Sequence, residues 1–262
     1  MATYLDAILA RHRDEAAADR RDRAALVRAA EEAAGTFPVR DFAAALRAPG
    51  LSVIAEVKRR SPSLGDLAPD LDPAALAADY EAGGAACLSV LTDFESFGGS
   101  ADDLRTARAA VRAPVLRKDF TVSPADLYDA RAMGADAVLL IAAALDASEL
   151  ADFGALAAEL GMTALFEIHE RAELDLVMGA GAGVVGVNQR DLASFRVDRT
   201  RAVELAAHIP EGVVKVAESG IGGPDDARAL AGAGYDAVLV GQSLVSAADA
   251  AVAVKALVAA CS

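Results

Sequence analysis

Glu56, Lys58, Lys118, Glu167, Asn188 and Glu218 each stand at the end of a short apolar run. Three glutamates, two lysines and an amide brought together can pass protons to and from a substrate. Buried Lys and Glu can be tuned toward neutral pH, which suits general acid–base work. The stretch Ser52 to Ser63, S-V-I-A-E-V-K-R-R-S-P-S, shows the pattern most clearly. Val53, Ile54, Ala55 and Val57 suit a buried strand. Glu56 and Lys58 are two apart, so on a strand they share a face. Charges on the inner face of a buried strand are costly unless they pair or serve a ligand. Taken alone, this pair reads equally well as a structural ion pair. The recurrence of charged groups at further run ends favours chemistry.

A second set of residues suits an anion. Arg59, Arg60, Ser61, Pro62 and Ser63 form a turn of cations and hydroxyls, and E-S-G-I-G and G-Q-S-L supply Ser219, Gly220, Gly241, Gln242 and Ser243. Small residues let backbone N–H groups approach a phosphate. No metal centre is expected: His12, His169 and His208 are scattered, and no cysteine cluster exists. His169 follows Glu167 by two and reads as a loop histidine. No Ser-His-Asp order is present.

The elements that must position these groups repeat. From residue 52 onward the unit is a short apolar strand, a polar turn, an Ala-rich helix and a Gly-containing join such as E-A-G-G-A-A-C-L-S-V. A Gly there suits a helix end that needs positive φ. Eight strands are predicted, at 52–58, 86–91, 114–118, 136–142, 162–168, 184–188, 213–217 and 237–241. Their spacing of roughly 20 to 35 residues is that of a βα unit. The fold class is therefore α/β, a (β/α)8 TIM barrel covering 1–262 as a single domain. An open doubly wound sheet would want G-x-G-x-x-G after the first strand, and K-R-R-S-P-S stands there instead. In a barrel, function gathers where strands end, and the turns after strands seven and eight are the usual phosphate site. Residues 1–50 form a helical extension: one helix over 3–33, stopped by Gly35 to Pro38, and a short one over 42–47 capped by Asp41. Both helices are expected near the mouth.

Parity on the third strand puts Lys118 with Leu116 on the inner face and Arg117 with Val115 toward the helices. The net charge of −14 argues against nucleic acid or an acidic membrane surface as partner. A small anionic substrate remains compatible if cations gather in one place. Cys87 and Cys261 form no spaced framework and read as free thiols of a reducing compartment. The N-terminal residues lack the pattern of a signal peptide, and no apolar run reaches membrane-spanning length. A soluble, cytoplasmic protein is expected.

E-V-K-R-x-S-P-S, L-T-D…F-G-G-S, P-V-L-R-K-D-F, F-E-I-H, G-V-N-x-R-D-L, A-E-S-G-I and L-V-G-x-S-L occur in this order. Together they resemble the indole-3-glycerol phosphate synthases of tryptophan biosynthesis, over nearly the whole chain. The resemblance implies a (β/α)8 barrel without cofactor or metal. It implies conversion of 1-(2-carboxyphenylamino)-1-deoxyribulose 5-phosphate to indole-3-glycerol phosphate, with ring closure and loss of CO2 and water. By motif it implies Lys118 as general acid at the carbonyl, and Lys58 with Glu56 at the substrate. It implies Glu167 as a catalytic carboxylate, and Asn188 with Glu218 on hydroxyls and amine. Arg190, Ser219, Gly220, Gly241, Gln242 and Ser243 would hold the phosphate, and Ser61 and Phe97 would line the anthranilate ring. A monomer is expected, with contacts to other tryptophan-pathway enzymes open.

The chain departs from the usual pattern at Leu64, Phe94-Glu95-Ser96, Gln189 and Gln242. A sugar-phosphate isomerase such as phosphoribosylanthranilate isomerase would want Cys or Asp where Glu56 stands and Asp where Glu167 stands. A phosphate binder without catalysis would be expected to have lost an acid or base, and none is missing.

Overall fold

The computed structural model describes residues 4–191 and 195–260. Eight parallel strands close into a barrel. They are β1 (Ser52–Val57), β2 (Cys87–Leu91), β3 (Val115–Lys118), β4 (Ala137–Ile141), β5 (Thr163–Ile168), β6 (Val184–Asn188), β7 (Val214–Glu218) and β8 (Ala237–Val240). β1 pairs with both β2 and β8, which closes the ring. Each strand sits within a residue or so of its predicted place. Val53, Ala55 and Val57 face outward into the layer between strands and helices, part of one buried cluster that runs round the barrel and includes Leu104, Leu127, Leu150 and Leu230. Ile54, Leu116, Leu139, Leu165, Val216 and Leu239 fill the interior. This period of two places Glu56, Lys118 and Glu167 inside the barrel, above the apolar layer.

The N-terminal extension differs from expectation in two ways. It contains three helices, α1 (Tyr4–Ala18), α2 (Arg23–Thr36) and α3 (Phe42–Leu46). The predicted helix over 3–33 breaks at 19–22. Asp22 has extended backbone there, and Arg21 bonds both Asp19 and Asp129. The break lets α2 lie on the helix Pro124–Met133. Only α1 reaches the mouth. α3 plugs the opposite end, capped by Asp41 as expected. Its Phe42 and Leu46, one turn apart, are fully buried among the interior residues. Ser52 at the start of β1 donates to the Leu46 carbonyl at 3.3 Å, and Arg47 donates to the Gly212 carbonyl at 3.0 Å. Two large apolar side chains on one face of F-A-A-A-L are better spent closing a barrel floor than lining a wet mouth.

After β1 the turn of cations and hydroxyls forms a small hairpin, pairing Arg60–Ser61 with Gly65–Asp66. Cys87 is buried in the barrel interior and free. Cys261 lies outside the described residues. Among the described residues no helix is long and apolar enough to cross a membrane.

Candidate active site

A cavity of about 470 Å³ opens at the C-terminal ends of the strands. Glu56, Lys58, Ser61, Phe97, Lys118, Glu167, Asn188, Arg190, Glu218, Ser219, Gly220, Gly241, Gln242 and Ser243 all line it. β1 delivers Glu56 and Lys58, which form an ion pair with each other. β3 delivers Lys118, whose Nζ lies 3.4 Å from Glu167 Oε2 and 3.8 Å from Glu218 Oε2. β6 delivers Asn188, which donates from Nδ2 to Glu167 Oε1 at 3.2 Å. Arg117, on the other face of β3, bonds Thr92, Asp119 and the Asp126 carbonyl, as strand parity requires.

Two glycines make room for the carboxylates. A Cβ at Gly186 would lie 2.1 Å from Glu218 Oε1, and one at Gly241 would lie 2.3 Å from Glu56 Oε1. Any side chain at either place would take the space of a charged group.

The electrostatics separate the two buried acids. Burial raises the pKa of Glu167, but the charges of Lys118 and His169 and the Asn188 hydrogen bond outweigh it, leaving Glu167 below the usual range. Burial and the Glu167 charge push Glu218 well above it. Burial lowers Lys118, yet Glu167, Glu218 and Glu56 together hold it above the ordinary lysine value. The triad thus sets an ammonium between one carboxyl whose pKa is lowered and one whose pKa is raised. Pairs of acids driven apart in this way can give one proton and take another.

The anion loops lie opposite. Ser219 and Gly220 both have positive φ, 66° and 74°. Gly220 must be glycine, because a Cβ there would meet Val197 Cγ1 at 2.4 Å. Gln189 Nε2 holds the Ser219 carbonyl at 2.7 Å, and Ser243 Oγ donates to the Ile221 carbonyl at 3.0 Å. Arg190 donates to the Phe195 carbonyl at 3.1 Å. The apolar wall is made by Phe97 and Phe120, stacked with ring centroids 6.3 Å apart. The Ser61 hydroxyl is buried there with no protein partner.

Sequence reasoning placed α1 near the mouth, but not the contacts it makes there. Tyr4, Leu5 and Ile8 line the cavity. Arg11 pairs with buried Asp93 at the end of β2, and His12 Nε2 lies 2.9 Å from the same carboxylate. Burial raises Asp93, but His12, the Ser96 amide and Arg11 hold it far below the usual range. Asp93 therefore fastens α1 and caps the short helix Phe94–Phe97, and does not face the substrate space. His12, Asp93 and Asp119 approach one another closely enough to suggest a cation, within 4.8 Å. Arg11 already neutralises Asp93, and Arg117 neutralises Asp119 at 2.9 Å. Leu5 and Ile8, three apart on one helical face, are the signal the sequence carries for this cover.

A closed parallel barrel with acids and ammoniums at its strand ends defines a (β/α)8 protein equipped for proton transfer on a small molecule. The family model for indole-3-glycerol phosphate synthase matches residues 5–257. The indole-3-glycerol phosphate synthase of Mycobacterium ulcerans is 52% identical over 260 residues, covering 98% of this chain and 94% of that one. Indole-3-glycerol phosphate synthase 2 of Streptomyces coelicolor is 54% identical over 228 residues, covering 87% and 88%. Among solved structures, thiamine phosphate pyrophosphorylase from Pyrococcus furiosus matches with a TM-score of 0.62 at 18% identity, over 80% of this chain and 95% of that one. A 3-hexulose-6-phosphate synthase matches equally, TM-score 0.62 at 18% identity, over 80% and 99%. These two likenesses concern the fold alone. The chain belongs to the indole-3-glycerol phosphate synthase family, whose members are carboxy-lyases of tryptophan biosynthesis.

Proposed function

We propose that this chain closes the indole ring of 1-(2-carboxyphenylamino)-1-deoxyribulose 5-phosphate, with loss of CO2 and water, using the residues gathered around Lys118. The observation that carries the assignment is the Lys118 ammonium, held between Glu167 and Glu218 at the floor of the cavity. The anthranilate ring lies against Phe97 and Ser61, its carboxylate toward Lys58. The phosphate lies at Ser219, Gly220, Gly241, Gln242 and Ser243, with Arg190 beside it. That spans the cavity with the ribulose carbonyl near Lys118.

Ring closure turns the carbonyl oxygen into a developing alkoxide. An alkoxide is basic enough to take a proton from an ammonium even when that ammonium's pKa is raised. Lys118 therefore polarises the carbonyl first and protonates it as the carbon–carbon bond forms. Loss of CO2 leaves an electron pair to return to the ring. Lys58, already paired with Glu56, holds the departing carboxylate and offsets charge. Dehydration needs an acid for the leaving hydroxyl and a base for the adjacent C–H, and Glu218, its pKa raised, and Glu167, its pKa lowered, fit these two tasks. Asn188 keeps Glu167 turned toward the substrate. On this reading the chain is a monomer working as a single domain over 1–262, with contacts to other tryptophan-pathway enzymes open. A cytoplasmic location, with its pathway, completes the reading.

Lys118→Met tests it. The substitution keeps length and removes the proton, so kcat should fall about 10²- to 10⁴-fold, the usual loss of a general acid. KM should change less, and Lys118→Arg should not rescue, because a guanidinium stays protonated. Indole absorbance followed with the anilino-ribulose phosphate reads all three. A Lys118→Met enzyme within about threefold of the parent kcat, far short of that range, would move the acid to Lys58.

A further inference from the structure

His169 lies directly behind Glu167, outside the residues that line the cavity. It continues the inward parity of β5 past Leu165 and Glu167. Its Nε2 is 3.6 Å from Glu167 Oε1, and its Nδ1 is 3.7 Å from Glu173 Oε2. Both ring nitrogens are shut off from solvent and neither makes a hydrogen bond; the two carboxylates stand at ion-pair distance. Glu173 is half-buried on the helix Arg171–Gly179 and is held in place by accepting from the His169 and Glu170 amides. Glu167, His169 and Glu173 thus form a line from the cavity floor toward the outside of the barrel. The other groups acting on Glu167 are Lys118 from β3, Asn188 from β6 and Glu218 from β7.

The chemistry of the proposed reaction asks for such a line. Protonation of the carbonyl oxygen takes up one proton. Loss of CO2 breaks a carbon–carbon bond, and its electron pair stays in the ring. Departure of the hydroxyl as water takes up a second proton, and the neighbouring C–H returns one. A substrate carboxylate leaves as neutral CO2, so one proton per turnover must enter from water. Glu167 is only 1% exposed, so bulk water does not reach it directly.

We propose that His169 is a positioning residue for Glu167 and relays the proton that each turnover consumes, receiving it from Glu173 and handing it to the Glu167 carboxylate, which passes it on to reload Lys118 at 3.4 Å. In each relay step the Nε2–H bond of the imidazole breaks as Nδ1 gains a proton, which leaves the ring as the opposite tautomer. A ring flip, which two nitrogens without hydrogen bonds do not oppose, restores it for the next turnover. Opposed carboxylates on its two nitrogens suit both the imidazolium and the neutral ring that follows transfer. Glu173 is poised as a transient carrier at the outer end: burial raises its pKa, but the His169 ring beside it and the His169 and Glu170 amides lower it overall, so a proton taken from water is readily passed on. The inference rests on the synthase reading.

The test uses the full chain and the anilino-ribulose phosphate, with His169→Gln and Glu173→Gln. Glutamine at 173 preserves the capping geometry of the helix while removing its charge. His169→Gln should lower kcat about 10- to 100-fold, as loss of a supporting partner does elsewhere. KM should hold within about twofold, because no substrate contact is lost. The solvent deuterium isotope effect on kcat should rise in both variants as proton resupply becomes limiting, with a smaller fall in kcat for Glu173→Gln. A His169→Gln enzyme with the parental isotope effect and pH–rate profile overturns the relay, even if its kcat is lower. Should His169→Gln not fold, a parental isotope effect in Glu173→Gln overturns it. Failure of the parent protein to form indole product would instead sink the functional reading, so the two failures are separable.

Discussion

At Glu218, burial and the Glu167 charge both oppose ionisation, so the carboxyl keeps its proton above the range where a free glutamate has lost it. This has a consequence for stability. Between the unfolded pKa, about 4.3, and the raised folded value, the native state holds a proton that the unfolded chain has released. Stability therefore falls as pH rises across that window. Glu167 acts in the opposite sense: its lowered value adds stability above the unfolded pKa, lost as pH falls through the folded one. Glu218→Gln removes the ionisable group and keeps its size. The variant should melt higher than the parent at neutral and alkaline pH, and the gap should widen with pH. The gain is roughly 2–4 °C for each kcal/mol of ionisation cost removed. Thermal unfolding followed by circular dichroism from pH 5 to 9 checks this, and a gap that stays flat or narrows would show that Glu218 ionises freely. Strand parity made the inward direction of these side chains legible in the sequence. Their charge states were not legible, because Glu167, Lys118 and Glu218 come from three different strands and set one another only once the barrel has closed.

Strands were the most readable elements and the N-terminal helices the least. Most strands are short β-branched runs between a glycine join and a polar turn, so their place is written locally. Where α3 goes is not local: Phe42 and Leu46 make the same apolar face whether it meets the mouth or the floor. The break at 19–22 is equally hidden, since Arg21 finds Asp129 only across the fold. Gly186 shows a strand carrying a site requirement beyond its own pairing. Gly186→Ala should keep the barrel, since the clash falls on the end of the Glu218 side chain. It should displace that carboxyl, and misplacement by an ångström can cost on the order of 10²-fold in rate. A kcat near the parental value with unchanged melting would mean Glu218 is not part of the chemistry. The turn after β7 allows a separate test of the anion site. Ser219 has φ 66°, which Asp tolerates better than most residues. Ser219→Asp should therefore raise KM strongly by repelling the phosphate while leaving the fold intact. An unchanged KM would put the phosphate elsewhere.

Across the whole molecule the charge is distributed unevenly. The net charge is −14, yet of the four lysines, Lys58, Lys118, Lys215 and Lys255, two face the cavity. An anionic substrate therefore enters an acidic protein through a mouth whose walls have to shut bulk water out, because ammonium–carboxylate contacts strengthen in a drier site. α1 supplies one of those walls with Tyr4, Leu5 and Ile8. It is a light attachment: Ile8 is its one buried residue, and Arg11 and His12 fasten it to Asp93. Deleting residues 1–18 should therefore leave the barrel folded, with a small fall in melting temperature. It should weaken substrate binding by about tenfold in KM, the equivalent of about 1.4 kcal/mol. The fall in kcat should be smaller, since Lys118, Glu167 and Glu218 keep their mutual contacts. Steady-state kinetics beside a melting curve separate these effects. If KM is unchanged, α1 is not a wall of the working site. If the melting transition collapses instead, α1 belongs to the barrel's packing and its place over the mouth is incidental.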